Sequence, residues 1–482
     1  MQPQSKGTSS VIPDGPGPLS GAALLGPRGQ EILAAIDAAR EFLESHTEEE
    51  LLSRVGQTID EIPRVDHLTK DVFQASYGGR KPGAPDDVLT GLGHFFITEQ
   101  RRLFLDCTGG HYQMTWGYRH PVLTAALAEA ERLGILWDAH SNIPGATVKR
   151  LSYKLVELCN PGLQGIAECD ASGCSVPGGL DTVLLGICTG SVACSTALKI
   201  MLARHREARS DPPVVIALEG NYHGTDIFAQ SMRGMWTGVV AGAEFVTLEP
   251  NDVQAAEEPF ARFGPRIMGF MCEPVMMNRE AILVETGYMR RIRELCDEAD
   301  ALLAVDEIQT GFWEPGFFHY RRWGITPDLV ICGKGMAAGL HPLSAVIYKR
   351  PLDVLAQYDA ISTNGNAPLA AMIALHSIAM IEQDAERIGA AAESITAMAH
   401  RVKDKFPDRI DAVHGDGHLC GLKLAKVNDA LELHRRCVER GVWVRAHAYH
   451  EGHSTVLCKF ALTAGPAAIE HLGGTYEELL GG

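Results

Sequence analysis

The 482-residue sequence lacks the features that would assign it to several common classes of protein. No apolar run approaches the roughly 20 residues that a membrane-spanning helix needs. The N-terminal MQPQSKGTSS lacks the apolar segment of a secretory signal. Basic residues are in deficit, since 43 Lys and Arg stand against 60 Asp and Glu, for a net charge of −17. We therefore expect no nucleic-acid or membrane partner, because both are bound by basic surfaces, and a cytoplasmic location.

The twelve cysteines also lack the C-x-x-C spacing that is typical of zinc ribbons and thioredoxin-like redox sites. Several of them, such as Cys188 and Cys332, lie within apolar stretches. This pattern favours buried, reduced thiols in a cytosolic protein, and we expect no metal site.

Residues 1–28 are rich in Gly, Pro and Ser and predict a mobile tail. From Gln30 to about Val55, apolar residues recur at helical spacing among charged ones, and residues 80–86 again predict a loop.

Towards the C-terminus, two helical stretches, Ala367–Gln383 and Ala385–Phe406, are followed by short strand-like segments at Leu419–Leu424 and Val442–Arg445. This succession predicts a smaller α+β domain at the end of the chain.

Between these parts, continuous apolar runs alternate with helical stretches. The predicted strands are Thr182–Cys188, Val214–Leu218, Ile267–Cys272, Leu302–Val305 and Leu329–Cys332. Such runs suit strands that are covered on both faces, as in a parallel sheet. The alternation with helices predicts an α/β architecture.

Polar or small residues follow each predicted strand directly. These groups are Thr189–Gly190–Ser191, Tyr222–His223–Gly224, Glu273, Asp306 with Gln309, and Lys334. Ligands bind beyond the carboxyl ends of the strands in an open parallel sheet. We therefore expect the five groups to meet at one crevice.

Each group also has an ordinary interpretation. A Gly/Ser turn that opens a helix binds phosphate well, but it is more often only a turn, and a Tyr-His pair is commonly core or surface. Asp306 is either the N-cap of a turn or a charge held for a cationic partner. A lysine between glycines is usually solvated, although at a strand end Lys334 can reach into a cleft as a nucleophile. A P-loop is excluded, because its first Gly is missing and Gly335 stands in place of its hydroxyl residue.

One ligand accounts for all of these groups together. An amine, a carboxylate, an aromatic face and an anion-binding helix start match the aldehyde, pyridine nitrogen, ring and phosphate of pyridoxal 5'-phosphate (PLP). A carboxylate beside the ring keeps its nitrogen protonated, because an opposite charge favours the charged form. The protonated ring then accepts the electron pair that is left when a bond to Cα breaks.

Two segments that contain Asp306 and Lys334 resemble a known family. LLAVDEIQTGF (Leu302–Phe312) and WGITPDLVICGKG (Trp323–Gly335) resemble the signature of class III aminotransferases, the ornithine/GABA aminotransferase group of fold-type I PLP enzymes. Further similar segments follow in the family's order from about Leu103 to Val444. They are GYRHP (Gly117–Pro121), Gly179–Lys199, EGNYHG (Glu219–Gly224), CEPV (Cys272–Val275), Gly287–Leu303, STNGNAPLAA (Ser362–Ala371) and VHGDGHLCGLKL (Val413–Leu424).

The resemblance implies roles for individual residues. Lys334 matches the lysine that forms the Schiff base and shuttles a proton, and Asp306 matches the partner of the pyridine nitrogen. The other residues implied to bind the cofactor are Gly190 and Ser191 at the phosphate, Tyr222 and His223 at the ring, Gln309 at the ring hydroxyl, Glu273, and Thr363. Thr363 matches a threonine that reaches the cofactor of the neighbouring subunit, which implies a homodimer with sites at the interface.

The resemblance also implies a fold of type I, with a large domain around a mostly parallel sheet and a smaller α+β domain. The predicted boundaries are residues 1–80 for the tail and a helical extension, 81–120 for an N-terminal part of the small domain, 121–375 for the large domain, and 376–482 for the rest of the small domain.

The sequence departs from the family pattern at three places. The usual S-G-S-E-A-N is Thr189–Cys194 here, and the last residue of the usual E-P-V-Q-G-E is Asn278. A substrate-binding arginine of the family falls near Lys459, and lysine offers a point charge in place of a bidentate clamp. The 2-oxoglutarate/glutamate couple is therefore not predicted. Trp116, Trp313, Met276 and Met277 either line a substrate pocket or belong to the core.

The sequence favours an aminotransferase that moves an amino group between an amine or amino acid and a keto acid or aldehyde. A PLP-dependent aminomutase, racemase, decarboxylase or bond-forming enzyme remains as an alternative on the same scaffold. A non-catalytic binding protein is a third interpretation, and the retained Lys334, Asp306 and Gln309 argue against it.

Overall fold

The structure, a computed structural model, describes residues 19–65, 87–135, 142–162, 176–236, 238–240, 242–448 and 452–482. Of the tail predicted over residues 1–28, residues 1–18 lie outside the described residues, whereas Gly21–Leu24 form a short helix that was not predicted. The loop predicted at 80–86, Cys169 and Cys174 also lie outside the described residues.

Over the described residues, the helices are α1 (Gly21–Leu24), α2 (Gly29–Ser45), α3 (Glu48–Arg54), α4 (Gly109–Tyr112), α5 (Pro121–Leu133), α6 (Ala146–Cys159), α7 (Gly190–Ala208), α8 (Ile227–Ser231), α9 (Val253–Phe263), α10 (Thr286–Ala299), α11 (Pro368–Gln383), α12 (Ala385–Lys405), α13 (Val427–Glu439) and α14 (Pro466–Gly481). None of these helices has the length and apolar content that would let it cross a membrane.

The strands are β1 (Val88–Leu92), β2 (Phe95–Thr98), β3 (Leu103–Asp106), β4 (Thr182–Ile187), β5 (Val214–Leu218), β6 (Glu244–Leu248), β7 (Ile267–Cys272), β8 (Val275–Met276), β9 (Ile282–Leu283), β10 (Leu302–Asp306), β11 (Leu329–Cys332), β12 (Ser344–Tyr348), β13 (Ile410–Asp416), β14 (Leu419–Leu424), β15 (Val442–Trp443), β16 (Arg445–His447) and β17 (Thr455–Cys458).

A seven-stranded sheet forms the centre of the fold, in the order β4-β12-β11-β10-β7-β5-β6. All neighbours in it are parallel except β12, which runs antiparallel to β11 and β4. Strands β5, β7, β10 and β11 are buried along their whole length. The predicted α/β class and mostly parallel sheet are therefore confirmed, whereas β6 and β12 were not among the predicted strands.

Two four-stranded sheets lie outside the central sheet. One has the order β1-β2-β3-β15, so strands before residue 107 pair with a strand near the C-terminus. The other has the order β13-β14-β17-β16. The domain boundaries themselves stay a prediction.

The structure divides two of the predicted elements. The helix predicted from Gln30 to Val55 is divided into α2 and α3, because Thr47 and Glu50 form a reciprocal capping box that starts a new helix. The strand predicted over Val442–Arg445 is divided between β15 and β16, which belong to different sheets. The second difference places the side chain of Arg445 at a cavity of the central sheet.

Candidate active site

The carboxyl ends of the central strands open into one cavity of about 640 Å³. Asp306 ends β10 and pairs in register with Ile331 of β11, and Lys334 follows three residues later, so the two side chains reach the same edge of the sheet. Both line the cavity, together with Gly190, Ser191, Tyr222, His223 and Gln309. The sheet thus brings together seven of the nine predicted site residues.

Lys334 lies in a turn that glycines make possible. Its φ of 36° falls in the left-handed region, and a Cβ at Gly335 would approach Thr115 Cγ2 to 2.8 Å. Burial lowers the pKa of the Lys334 amine, and the neighbouring carboxylates of Asp306 and Glu273 oppose that shift. A larger fraction of this amine is therefore neutral and nucleophilic than in a solvated lysine.

Three donors hold Asp306 in place. Its Oδ2 accepts from His223 Nδ1 at 2.8 Å and from Cys194 Sγ at 3.3 Å, and its Oδ1 accepts from the amide of Ile308 at 3.0 Å. The side chain is buried, with an exposed fraction of 3%. The adjacent Glu307 contacts other groups, since its Oε1 accepts from the amide of Tyr320 at 2.8 Å. Asp306 is thus a rigid, buried carboxylate at the cavity.

Glu273 lies behind the cavity lining and is buried. Its carboxylate accepts from the amide of Tyr222 at 2.7 Å and from Gln309 Nε2 at 3.3 Å. Burial raises the pKa of Glu273 to about 7, with the nearby His223 acting in the opposite direction. Through these two hydrogen bonds, Glu273 supports Tyr222 and Gln309, which line the cavity.

The start of α7 forms another side of the cavity. Gly190 is the first residue of this 19-residue helix, and a Cβ there would lie 2.7 Å from Ile308 Cδ1. Ser191 Oγ accepts from the amide of Thr225 at 3.1 Å. The first N–H groups of a long helix, with the helix dipole behind them, attract an anion.

Tyr222 is half-buried at the cavity, and the guanidinium carbon of Arg233 lies 5.4 Å from the centre of its ring. Thr363 lies elsewhere. It is exposed, its carbonyl accepts from Cys188 Sγ at 3.3 Å, and it is not among the residues that line the cavity.

Sequence reasoning missed three residues of the cavity wall that do not follow the central strands. Arg445, His111 and Tyr112 line the cavity, and Arg445 Nη1 donates to His111 Nδ1 at 2.8 Å. The pair Gly109–Gly110 was an available signal for an unusual turn beside His111, because both glycines have φ of 56°. No local pattern marked Arg445.

Lys459, the position at which the family's arginine was expected, is fully buried and absent from the cavity lining. Its Nζ donates to the carbonyl of Gln309 at 2.5 Å and lies 4.2 Å from the ring centre of Trp313. The main hydrophobic core contains all four residues that the sequence assigned either to a substrate pocket or to the core, Trp116, Trp313, Met276 and Met277. Of the two predicted positions, the structure therefore shows the core.

A mostly parallel sheet that carries a buried lysine and a buried carboxylate at the ends of adjacent strands defines the class of fold-type I PLP enzymes. Comparison with known proteins then identifies the family. The profile of the aminotransferase class-III family matches residues 87–456, and the chain belongs to this family. The predicted family, PLP-dependent transaminase activity and cofactor are thereby confirmed.

Individual relatives agree with this assignment. The chain is 27% identical to ornithine aminotransferase from Bordetella pertussis over 388 residues, which cover 78% of this chain and 88% of the relative. It is 26% identical to an uncharacterized aminotransferase from Archaeoglobus fulgidus over 367 residues, which cover 73% and 78% of the two chains. The crystal structure of ornithine aminotransferase from Toxoplasma gondii shares the fold, with a TM-score of 0.71 at 22% identity over 92% of this chain and 97% of that one.

Proposed function

We propose that the cavity at the strand ends holds PLP and that its residues transfer an amino group from an amine or amino acid to a keto acid or aldehyde. The observation that carries the proposal is the shared cavity of Lys334 and Asp306, since a reactive amine and a fixed carboxylate are the two groups that this chemistry requires. When bound, PLP supplies an electrophilic carbon for the amine and a ring that accepts an electron pair released at Cα.

The residues present fit this cofactor on two observations. Gly190 and Ser191 begin the 19-residue helix α7 at the cavity, where the first amides of the helix can bind a phosphate. His223 Nε2 is buried and has no hydrogen-bond partner among the described residues, as expected of a group that awaits a ligand.

Each residue then has a part that follows from its surroundings. Lys334 would hold the cofactor through its Nζ, and the same amine would move the proton at the substrate Cα, because burial keeps part of this amine neutral. Asp306 would keep the ring nitrogen protonated, and His223 orients that carboxylate.

The remaining predicted residues position the cofactor. Gly190 and Ser191 would hold the phosphate, Tyr222 would flank the ring, and Gln309 would bond to the ring hydroxyl. Glu273 acts through Tyr222 and Gln309, since it contacts these two residues behind the lining.

The working unit in this proposal is a homodimer, with Thr363 serving the partner's site. The support is its place on the surface outside its own cavity. A reducing compartment such as the cytoplasm is consistent with the ten described cysteines, which form no disulfide among themselves.

The test combines a spectrum with product analysis. Purified protein with added PLP is expected to show the visible absorption of the lysine-bound cofactor, and the variant Lys334→Ala is expected to lack it. A screen of amine donors with mass spectrometry is expected to find amino groups moved to a keto acid. Products that retain the amino group without keto-acid turnover would favour an aminomutase or racemase, and an unchanged spectrum in Lys334→Ala would overturn the assignment.

A further inference from the structure

A cysteine, a histidine and an aspartate meet beside the carboxyl ends of the central strands. Cys194 is the fifth residue of α7, His223 follows β5, and Asp306 is the last residue of β10. All three are buried, with exposed fractions of 0%, 1% and 3%, and their ligand atoms all lie within 4.8 Å of one another. The sequence predicted no metal site because its cysteines lack short spacings, whereas this group joins residues as far as 112 positions apart.

The three side chains supply a ligand set that suits a thiophilic divalent cation. Zn²⁺ takes sulfur, imidazole nitrogen and carboxylate oxygen from proteins, whereas Mg²⁺ and Ca²⁺ prefer oxygen. Cys194 Sγ lies 3.3 Å and His223 Nδ1 lies 2.8 Å from Asp306 Oδ2. In a tetrahedral zinc site the corresponding separations are about 3.6 and 3.4 Å. The ligand atoms therefore need to move apart by only about 0.3 to 0.6 Å to admit the ion.

The cavity gives an ion a route to this group. His223 and Asp306 line the cavity of about 640 Å³, whereas Cys194 is not among its lining residues. An ion in the cavity thus reaches the imidazole and the carboxylate directly, and the buried thiol completes the set. Three protein ligands with a water in the fourth position is an arrangement that zinc adopts in open sites.

The charges around Cys194 favour a cation. Burial raises the pKa of its thiol. The carboxylates of Asp306, Asp226 and Glu273 raise that pKa further, so the thiol lies in a negative potential that attracts a divalent ion. The charge of Lys334 opposes the ion, but burial lowers the pKa of that amine and leaves part of it neutral.

Binding of the ion has a defined proton balance. The thiol proton of Cys194 is released to solvent, and the imidazole of His223 carries its proton on Nε2 while Nδ1 binds the ion. This Nε2 is buried without a hydrogen-bond partner among the described residues. The two hydrogen bonds to Asp306 Oδ2 are exchanged for bonds to the ion.

We infer that Cys194, His223 and Asp306 bind a thiophilic divalent cation such as Zn²⁺ in the PLP-free protein, and that this ion and PLP exclude each other. The exclusion rests on the proposed function, in which Asp306 keeps the ring nitrogen protonated. A carboxylate whose charge is neutralised by a divalent ion no longer favours the protonated ring. By thermodynamic linkage, each ligand then weakens the binding of the other by the same factor.

The experiment uses Cd²⁺ as a probe, because a cadmium–thiolate bond has an ultraviolet charge-transfer absorption that reports coordination by sulfur. The full-length, PLP-free protein is reduced, freed of metals with EDTA and titrated with Cd²⁺, and Zn²⁺ binding is followed by calorimetry. For the wild type we expect one equivalent of each ion to bind, and the thiolate band to appear with Cd²⁺.

Two variants test the ligands. Cys194→Asn introduces the residue that ends the usual S-G-S-E-A-N pattern, and it should abolish the band and raise the Kd for Cd²⁺ at least about 100-fold, since loss of an outer partner alone costs about 10- to 100-fold. His223→Gln should weaken binding but keep the band, because the thiolate remains. Cys188→Ser is the matched control, since Cys188 is a more exposed thiol, and we expect it to bind Cd²⁺ like the wild type.

Competition with PLP is a separate measurement. Saturating PLP should raise the Kd for Cd²⁺ at least about tenfold, and Cd²⁺ should raise the Kd for PLP by the same factor. Cys194→Asn in the same mixtures corrects for complexes that PLP forms with the ion in solution. Zinc added before PLP should slow amino transfer by the wild type, whereas Cys194→Asn should keep the rate that it shows without zinc.

The outcomes separate the two proposals. If the wild type gives no thiolate band, or if the band persists in Cys194→Asn or is lost in Cys188→Ser, the metal site is overturned while transamination stands. If the band depends on Cys194 but PLP and the ion bind without affecting each other, the exclusion is overturned. If the wild type shows no cofactor absorption and converts no donor, the proposed function fails, and the cadmium titration alone decides whether the metal site exists.

Discussion

The regions at the ends of β11 and β17 each carry a buried lysine, and they differ in what surrounds it. Lys334 follows β11, lines the cavity and has the carboxylates of Asp306 and Glu273 close enough to affect its pKa. Lys459 follows β17, lies fully buried against Trp313 and donates to a backbone carbonyl. Burial lowers the pKa of both amines. In the proposed function, access to a cavity and carboxylate neighbours, more than burial, therefore distinguish the reactive Lys334 from the structural Lys459.

The largest effect is expected from replacing each lysine by methionine. Lys334→Met should lower kcat on the order of 10⁴-fold or more, because it removes both the covalent attachment and the proton carrier. Lys459→Met should stay within about tenfold of the wild type, because methionine fills the same buried space and the amine does not reach the cavity. Steady-state kinetics and the visible spectrum of bound PLP are measured for both variants. Loss of that spectrum in Lys459→Met would refute the distinction.

Asp306→Asn tests the role of the carboxylate beside Lys334. An amide of the same shape cannot hold the ring nitrogen as a cation, so kcat should fall by about 10²–10³-fold while PLP still binds. Stopped-flow rates and a PLP titration measure the two effects separately. Asp300→Asn, on the exposed surface beside Arg204 and Arg209, controls for the loss of one negative charge. A fall confined to PLP affinity would contradict the assigned role.

Glu273 and Lys459 should give the unfolding free energy opposite pH dependences. The pKa of Glu273 is about 7 in the folded protein, above its ordinary value, so between pH 4.5 and 7 the folded state holds a proton that the unfolded state has released. The stabilisation that the protonated Glu273 contributes to the folded state is complete below pH 4.5 and is lost as pH rises through 7. The stability of the PLP-free wild type relative to Glu273→Gln should therefore fall by about 3 kcal/mol over this range in urea unfolding.

For Lys459 the sign reverses. Its pKa is lowered in the folded protein, so its contribution is present above pH 10.5 and is lost as pH falls through the folded-state pKa. The stability of the wild type relative to Lys459→Met should thus increase with pH. The same slope for both variants would contradict the contrast between the two regions.

The smallest effect is expected at Cys194. Its thiol is a weak donor to Asp306 Oδ2 at 3.3 Å, beside the stronger contact from His223 at 2.8 Å. Cys194→Ala should lower kcat by only about 2- to 10-fold, the value of one weak hydrogen bond. His223→Ala provides the comparison and should be the more damaging substitution. An equal loss in both variants would show that the thiol matters as much as the imidazole.

Much of the region at the strand ends was predictable from the sequence, whereas the part of the cavity wall that Arg445, His111 and Tyr112 form was not. Continuous apolar runs identify β5, β7, β10 and β11, and parallel strands place the residues after them at one edge. Arg445 carries no such local signal, because its position depends on the division of a single strand-like segment between two sheets. The break between α2 and α3 was readable, since Thr47 and Glu50 have the spacing of a capping box.

By itself, the sequence determined the α/β class and the groups that follow the strands, because hydrophobic period is a local property of the chain. The family followed from the resemblance of short segments such as Leu302–Phe312 to a known signature. The tertiary structure alone decided that Lys459 is buried outside the cavity and that Arg445 lines it. Those choices depend on contacts between segments more than 100 residues apart, such as Lys459 with Gln309 and Arg445 with His111. No spacing along the chain encodes them.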